Sequence, residues 1–236
     1  MRTMIIALFL AILACASPGV ADARPTQPDA AMTEQVLSTV VRVDVGGYFR
    51  GSGVVVTPEG HIVVAIRTIH GYEYSAVTVG APRYPARILA VDRRRGIAVL
   101  LAVRPADQAG PMPYARLDVP ATVSRDDPAR LAGYAETGSD PPMIARRTMP
   151  ARVNDPHFRG EASGDDDVDD LLIARPADQP DRLRADGMPL FSSRSGRLLG
   201  VVIGRTGDGS NDLIAMPSSK IAATLTRLTI ALPNGN

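Results

Sequence analysis

From Val40 onward the chain reads as short runs of β-branched and other apolar residues, broken at close intervals by glycine, proline or charged turn residues. Val40–Val45 has strand character and ends at Gly46-Gly47, a pair favoured in two-residue hairpin turns. Tyr48–Thr57 returns, Pro58-Glu59-Gly60 turns the chain again, and His61–Ala65 makes a third strand. The same pattern predicts strands over Ala76–Val79, Ala86–Val91, Ile97–Ala102, Ala129–Ala135, Ile144–Val153, Leu171–Ala174, Pro189–Ser192, Leu198–Gly204 and Asp212–Met216. Roughly a dozen strands at this spacing suggest an all-β fold, either a sandwich or a pair of barrels. Helical character is confined to two places. Ala31–Ser38 has room for one or two turns. Ser218–Leu228 puts Ile221, Leu225 and Leu228 on one face behind Ser218-Ser219, a pair suited to cap a C-terminal helix.

Two segments depart from the pattern. Met4–Ala14 is an unbroken apolar run behind Arg2, and Ala21-Asp22-Ala23 offers small residues where a signal peptidase reads them. The run is too short for a stable bilayer helix, which needs about 20 residues. Residues 1–23 therefore read as a signal peptide cleaved after Ala23, with a periplasmic or secreted destination and no transmembrane segment in the mature chain. Ile12-Leu13-Ala14-Cys15 loosely resembles a bacterial lipoprotein box, so lipidation at Cys15, the chain's one cysteine, is the alternative. Cleavage after Ala23 leaves no thiol for a disulfide, and stability must then come from core burial. Beyond it, 24–38 reads as a flexible N-terminal segment with the short helical stretch at its end, 39–230 as the folded domain and 231–236 as a tail. The second departure is Gly160–Asp170 (GEASGDDDVDD), read as a solvated acidic loop whose like charges keep it extended. It lacks the alternating ligands and glycine of a helix-loop-helix calcium site, so no metal is expected there.

Composition narrows the picture further. A chain of 236 residues that is 45% hydrophobic can fill a sizeable core. With 26 basic against 25 acidic residues, nothing in the charge balance calls for a nucleic-acid partner or an anionic membrane surface. The basic residues are almost all arginine, Lys220 being the single lysine.

GSGVVVTPEGHIVVAIRTIHG, Gly51–Gly71, resembles the first barrel of trypsin-like serine proteases of the high-temperature-requirement (HtrA) branch. There a Gly-Ser-Gly strand and a glycine turn lead to a Thr-Asn-Asn-His segment that carries the catalytic histidine. The resemblance continues through Tyr84–Leu100 (YPARILAVDRRRGIAVL), where the family reads Tyr-Pro-Ala, then Asp, then Asp-Leu-Ala-Val-Leu. It resumes at Leu131–Tyr134 and Arg184–Gly204, and ends at IAMPSSK, Ile214–Lys220, similar to the family's Ala-Ile-Pro-Ser before a final helix. It spans about Val40–Leu228 and implies a double six-stranded antiparallel β-barrel with a C-terminal helix and no following peptide-binding PDZ domain.

Carried over position by position, the catalytic residues are missing. The histidine position falls on Arg67 and the aspartate position on Gly96. The Gly-Asn-Ser-Gly-Gly-Pro motif falls on Arg184 to Pro189, so Asp186 replaces the serine. A serine hydroxyl is a weak nucleophile until an imidazole takes its proton, and a buried carboxylate orients that imidazole. Arginine stays protonated and cannot act as the base. Glycine orients nothing. Arg184 stands where the family's glycine supplies an oxyanion-hole N–H, and lacks glycine's backbone freedom. His61, His70 and His157 read as turn or surface histidines, and Ser192, Ser193 and Ser195 as part of a strand-turn-strand. Asp186-Gly187 also fits a plain hairpin turn.

Histidine and serine meet in a working triad, so Arg67 and Asp186 are expected to face each other as an ion pair across the cleft between the barrels; both pointing to solvent is the alternative. The resemblance implies an exported, catalytically inactive protease homologue that binds a protein or extended peptide, or regulates one, and uses no cofactor. Alternatives are an active serine-type endopeptidase with an unrecognised arrangement, and a structural subunit of an envelope assembly. HtrA relatives often trimerise through N-terminal aromatic residues, and Arg24–Gly47 contains none.

Overall fold

The backbone closes twice on itself. The computed structural model describes residues 30–70, 77–80, 83–119, 123–136, 143–161, 167–177 and 185–233. Strands β1 (Val40–Val45), β2 (Tyr48–Val55), β3 (His61–Ala65), β4 (Val77–Val79), β5 (Tyr84–Asp92) and β6 (Ile97–Ala102) form one closed barrel in the order β1-β2-β3-β6-β5-β4. Strands β7 (Pro128–Glu136), β8 (Ile144–Glu161), β9 (Asp167–Pro176), β10 (Pro189–Ser192), β11 (Leu198–Arg205) and β12 (Leu213–Pro217) form the second, in the order β10-β11-β12-β9-β8-β7. Every neighbouring pair is antiparallel. The expected double barrel is the fold.

Turn chemistry sets the first hairpin. Gly46 and Gly47 take φ of +59° and +86°, so both central residues are left-handed, which matches the twist of the paired strands β1 and β2. After His61, the runs β3 and β6 are apolar because both faces are covered. Ile62, Val64, Ala98 and Leu100 fill the first barrel, while Val63, Ala65, Ile97 and Val99 turn outward into a core shared with the second barrel. On β11, Leu199 and Val202 point into the second barrel, and Leu198, Val201 and Ile203 into the shared core. The described part of the connector bonds to both barrels: Ala115 N–H donates to Val55 C=O at 2.8 Å, and Leu198 N–H donates to Arg116 C=O at 2.8 Å.

Helix α1 (Ala30–Ser38) occupies the end of the segment read as flexible. It is tied to the second barrel by Arg146, which donates to Leu37 C=O at 3.0 Å, and by Arg130, which donates to Thr33 Oγ1. The last helix, α3 (Ser218–Arg227), buries Ile221 and Leu225, as its periodicity indicates. Its start differs from expectation: Pro217 is the N-cap, and the buried Ser218 hydroxyl donates to Leu198 C=O instead of capping the helix. Strands β8 and β9 run further than the sequence suggests, pairing Gly160 with Val168 and Glu161 with Asp167, so most of the acidic stretch belongs to a hairpin arm. Its residues 162–166 lie outside the described residues. Among the described residues, no helix is long and apolar enough to cross a membrane.

Candidate functional site

Strand β3 passes directly into α2 (Ile66–Ile69), a single helical turn. Ile66 N–H donates to Gly96 C=O at 2.8 Å. Gly96 closes the turn between β5 and β6 at φ +66°, a left-handed conformation in which glycine meets no Cβ penalty. One hydrogen bond therefore places Gly96 beside the helical turn that carries Arg67, the residues expected at the aspartate and histidine positions. Within that turn, Arg67 and His70 are exposed and Thr68 is buried.

Asp186, expected at the serine position, arrives from the second barrel on a tight turn, Ala185 to Met188. Met188 N–H donates to Ala185 C=O at 2.9 Å, and Gly187 takes φ +79°, the signature of a type II turn with glycine third. Gly187 N–H and Met188 C=O both bond to Val202 on β11, at 2.8 and 2.9 Å. The turn docks backbone to backbone on β2. Ser52 N–H donates to Asp186 C=O at 3.4 Å, a Cβ on Gly51 would stand 2.7 Å from that carbonyl, and a Cβ on Gly187 would stand 2.0 Å from Ser52 O. Only glycine at 51 and 187 permits this approach. Ser52 also joins the barrels through its side chain, its Oγ accepting from Tyr134 N–H at 2.8 Å. Arg67, Gly96 and Asp186 thus belong to one region where α2, the β5–β6 turn, β2 and the 185–188 turn meet.

The charges there do not combine as the sequence led us to expect. Among the described residues, Arg67 and Asp186 make no hydrogen bond and no ion pair within 4.0 Å. The physical reason lies in their settings. Arg67 keeps its guanidinium in water on an exposed turn, whereas Asp186 is half-buried by the docked turn, and closing the gap would strip hydration from both. The two still sense one another. Burial pushes the Asp186 carboxyl above the ordinary carboxylate range, and the charges of Arg67 and then Arg205 pull the other way without cancelling that effect. Arg205, at the end of β11, went unnoticed in the sequence; its place beside the cleft follows from the register of β11, which no local motif reveals. Thr68 Oγ1, buried and with no hydrogen-bond partner among the described residues, was missed as well.

Other candidate side chains are placed elsewhere. His61 is half-buried on β3 with Nδ1 2.7 Å from Thr57 Oγ1, and burial holds its imidazole below the usual range despite the charge of Glu59. His157 Nδ1 lies 3.4 Å from Asp170 on the β8–β9 arm. Ser192 Oγ accepts from the N–H groups of Arg194 and Ser195 at 3.2 and 3.3 Å, so the serine cluster forms the β10–β11 turn. Arg184 lies outside the described residues. Cavities of about 300 and 270 Å³ sit on the second barrel and share no lining residue with the triad positions. No group of three or more His, Cys, Asp or Glu gathers among the described residues to hold a metal.

No protein-family model matches the sequence, and no curated protein matches it by sequence. Solved structures do. The Rv3671c protease from M. tuberculosis in its active form is 19% identical, with a TM-score of 0.66 over 98% of this chain and 97% of that one. An inactive form of Rv3671c with its serine changed to alanine is 20% identical, with a TM-score of 0.64 over 90% of this chain and 97% of that one. The MamO protease domain from Magnetospirillum magneticum, without ligand, is 18% identical, with a TM-score of 0.63 over 82% and 98%. At these identities the likeness establishes the trypsin-like double-barrel fold.

Proposed function

We propose that this chain is an exported, catalytically inactive homologue of trypsin-like proteases that binds extended polypeptide in the cleft between its barrels. The observation that carries this reading is the meeting of Arg67, Gly96 and Asp186 through the backbone contacts of Ile66 with Gly96 and of Ser52 with Asp186. Peptide hydrolysis of the serine type needs a base, an orienting carboxylate and a hydroxyl at such a meeting point. A guanidinium cannot take a proton, glycine has no side chain to offer, and a carboxylate is a weaker nucleophile than the activated hydroxyl it replaces.

The β11 edge is where a peptide would add, and there Arg205 is exposed while Ile203 and Gly204 are buried. β11 pairs with β12 from Gly200 to Arg205, but with β10 only from Leu198 to Val201. Beyond the bonds of Val202 to the 185–188 turn, Ile203–Arg205 has no neighbouring strand on that side among the described strands. Strand addition on such an edge gives affinity through main-chain hydrogen bonds. Export rests on the signal-like residues 1–23, and a mature chain beginning at Arg24 is the form to look for by mass spectrometry.

The decisive experiment incubates the purified mature chain with a fluorophosphonate probe and with casein, and separately titrates it with a degenerate peptide pool. No labelling, no cleavage and saturable peptide binding are expected. Labelling or cleavage abolished by one point substitution would overturn the inactive assignment, and absence of any saturable binding would favour a structural role.

A further inference from the structure

The connector meets β11 in a short parallel bridge that sorts side chains between two faces. Leu117 pairs with Leu198, held by Leu198 N–H donating to Arg116 C=O at 2.8 Å and Asp118 N–H donating to Leu198 C=O at 2.9 Å. Side chains alternate along extended backbone, so Leu117 and Leu198 enter the shared core while Asp118, Arg197 and Leu199 take the opposite face. That face lines the cavity of about 270 Å³ on the second barrel. Two acid–arginine couples meet there, and one of them closes. Arg194 Nη1 lies 2.9 Å from Asp127 Oδ1, and Asp127 Oδ2 also accepts from Ser124 N–H at 2.8 Å. Asp118 and Arg197 are both partly buried, yet among the described residues neither side chain makes a hydrogen bond or an ion pair within 4.0 Å. They still sense each other. Burial pushes the Asp118 carboxyl above its usual range, and the charge of Arg197 pulls it back without cancelling that effect.

We propose that this cavity binds a small free amino acid as its zwitterion, with the ammonium on Asp118 and the carboxylate on Arg197. A partly buried charge without a partner is costly, and a ligand carrying both opposite charges satisfies the two at once. The guanidinium presents paired N–H donors to a carboxylate, a strong charge-assisted contact, and the Asp118 carboxylate accepts from an ammonium. Val123 and Leu199 add apolar lining beside the charges, which suits an aliphatic side chain such as that of valine. Drug-sized ligands occupy roughly 300–1,000 Å³, so a cavity of about 270 Å³ matches a single small metabolite. The cavity shares none of its lining residues with the meeting point of Arg67, Gly96 and Asp186, so the inference stands apart from the peptide-binding reading.

The mature chain is titrated by calorimetry with L-valine, N-acetyl-L-valine, L-valinamide and γ-aminobutyrate. L-Valine should bind saturably, and the two blocked forms, each lacking one charge, at least about 10-fold more weakly. Asp118→Asn should weaken L-valine at least about 10-fold and erase the penalty of acetylation, and Arg197→Gln should do the same for the penalty of amidation. A merely structural role for either residue would not produce that crossed pattern. If γ-aminobutyrate, whose charges stand further apart, binds more tightly than L-valine and depends on both residues, the ligand is a longer amino acid and the inference stands. Should one variant fail to fold, the other variant and the blocked ligands still decide. Equal affinity for L-valine and both blocked forms overturns the inference, as does L-valine binding unchanged in both variants. No saturable binding of any of these ligands, to protein with an intact melting transition, also overturns it and leaves the peptide-binding reading untouched.

Discussion

Arg227 Nη2 lies 2.6 Å from Asp92 Oδ2, joining the final helix of the chain to the end of β5 in the first barrel. Asp92 also accepts from Arg95 Nη1 at 3.0 Å and from Thr224 Oγ1 at 3.2 Å, so its carboxylate is a node between the two halves. Burial works against ionisation here, but the hydrogen bonds and charge of Arg95, with the bond from Arg227, outweigh it and hold the carboxyl below its usual range. Because the folded value lies below the unfolded value of about 3.9, the stabilisation is present above that pH and lost as pH falls through the folded value. Asp92→Asn should cost about 1–3 kcal/mol at pH 7 in urea titrations. The difference should shrink as the pH falls below about 3.9. A pH-independent difference would show that the charge is not what matters.

Asp186 behaves in the opposite sense. Its folded value is raised by burial, so its favourable contribution is present below the unfolded value and lost as pH rises through the folded one. At neutral pH the fold carries a half-buried carboxylate at a cost. Asp186→Asn should therefore raise the melting temperature at pH 7, by on the order of a few degrees, and lose that advantage near pH 3. Calorimetry at the two pH values checks the sign, and a lower melting temperature at pH 7 would mean that the distant arginines outweigh burial after all.

Gly187→Ala tests the docking of the barrels. The left-handed backbone alone costs a Cβ-bearing residue about 1–2 kcal/mol. The added methyl would also stand 2.0 Å from Ser52 O, so the turn would have to lift off β2. A fall in melting temperature on the order of 10 °C is expected by calorimetry. A change within about a degree would show that the turn is not clamped as described.

Restoring the three catalytic side chains should not restore catalysis. In Arg67→His, Gly96→Asp, Asp186→Ser, the new aspartate must take a left-handed backbone at a buried turn, and Arg184 still replaces the glycine that the family resemblance implies for the oxyanion hole. Preorganised oxyanion donors are commonly worth about 100-fold or more in rate. Casein hydrolysis by the triple variant is expected to stay at background, and robust turnover would refute the importance assigned to Arg184.

Much of the barrel framework was legible because glycine wrote its corners. Gly46-Gly47 and Gly60, whose N–H donates to Thr57 C=O at 3.1 Å, set strand boundaries that any β-rich reading would find. The arm of β8 and β9 was not legible. None of Asn154–Arg159 is buried, so neither face carries the apolar alternation that marks a strand, and register shifts at three points disturb what pattern there is. Ser218 misled for another reason: a hydroxyl at a helix start suits a cap, and the nearby Leu198 carbonyl was invisible until the fold brought it close. Sequence position brought Arg67 and Asp186 to one cleft. Their separation depends on where a long side chain finds its water, and position alone does not encode that.

The apolar layer between the barrels has a last consequence. Val63, Ala65, Ile97 and Val99 from one side, and Leu198, Val201 and Ile203 from the other, lie in one buried cluster that also takes in Val36 of α1, Ala115 of the connector and Ile221 and Leu225 of α3. Neither barrel is a portable module. Separated from its mate, each would present a dry sheet face to solvent and invite aggregation, so the two can be inherited, truncated or transplanted only as a unit.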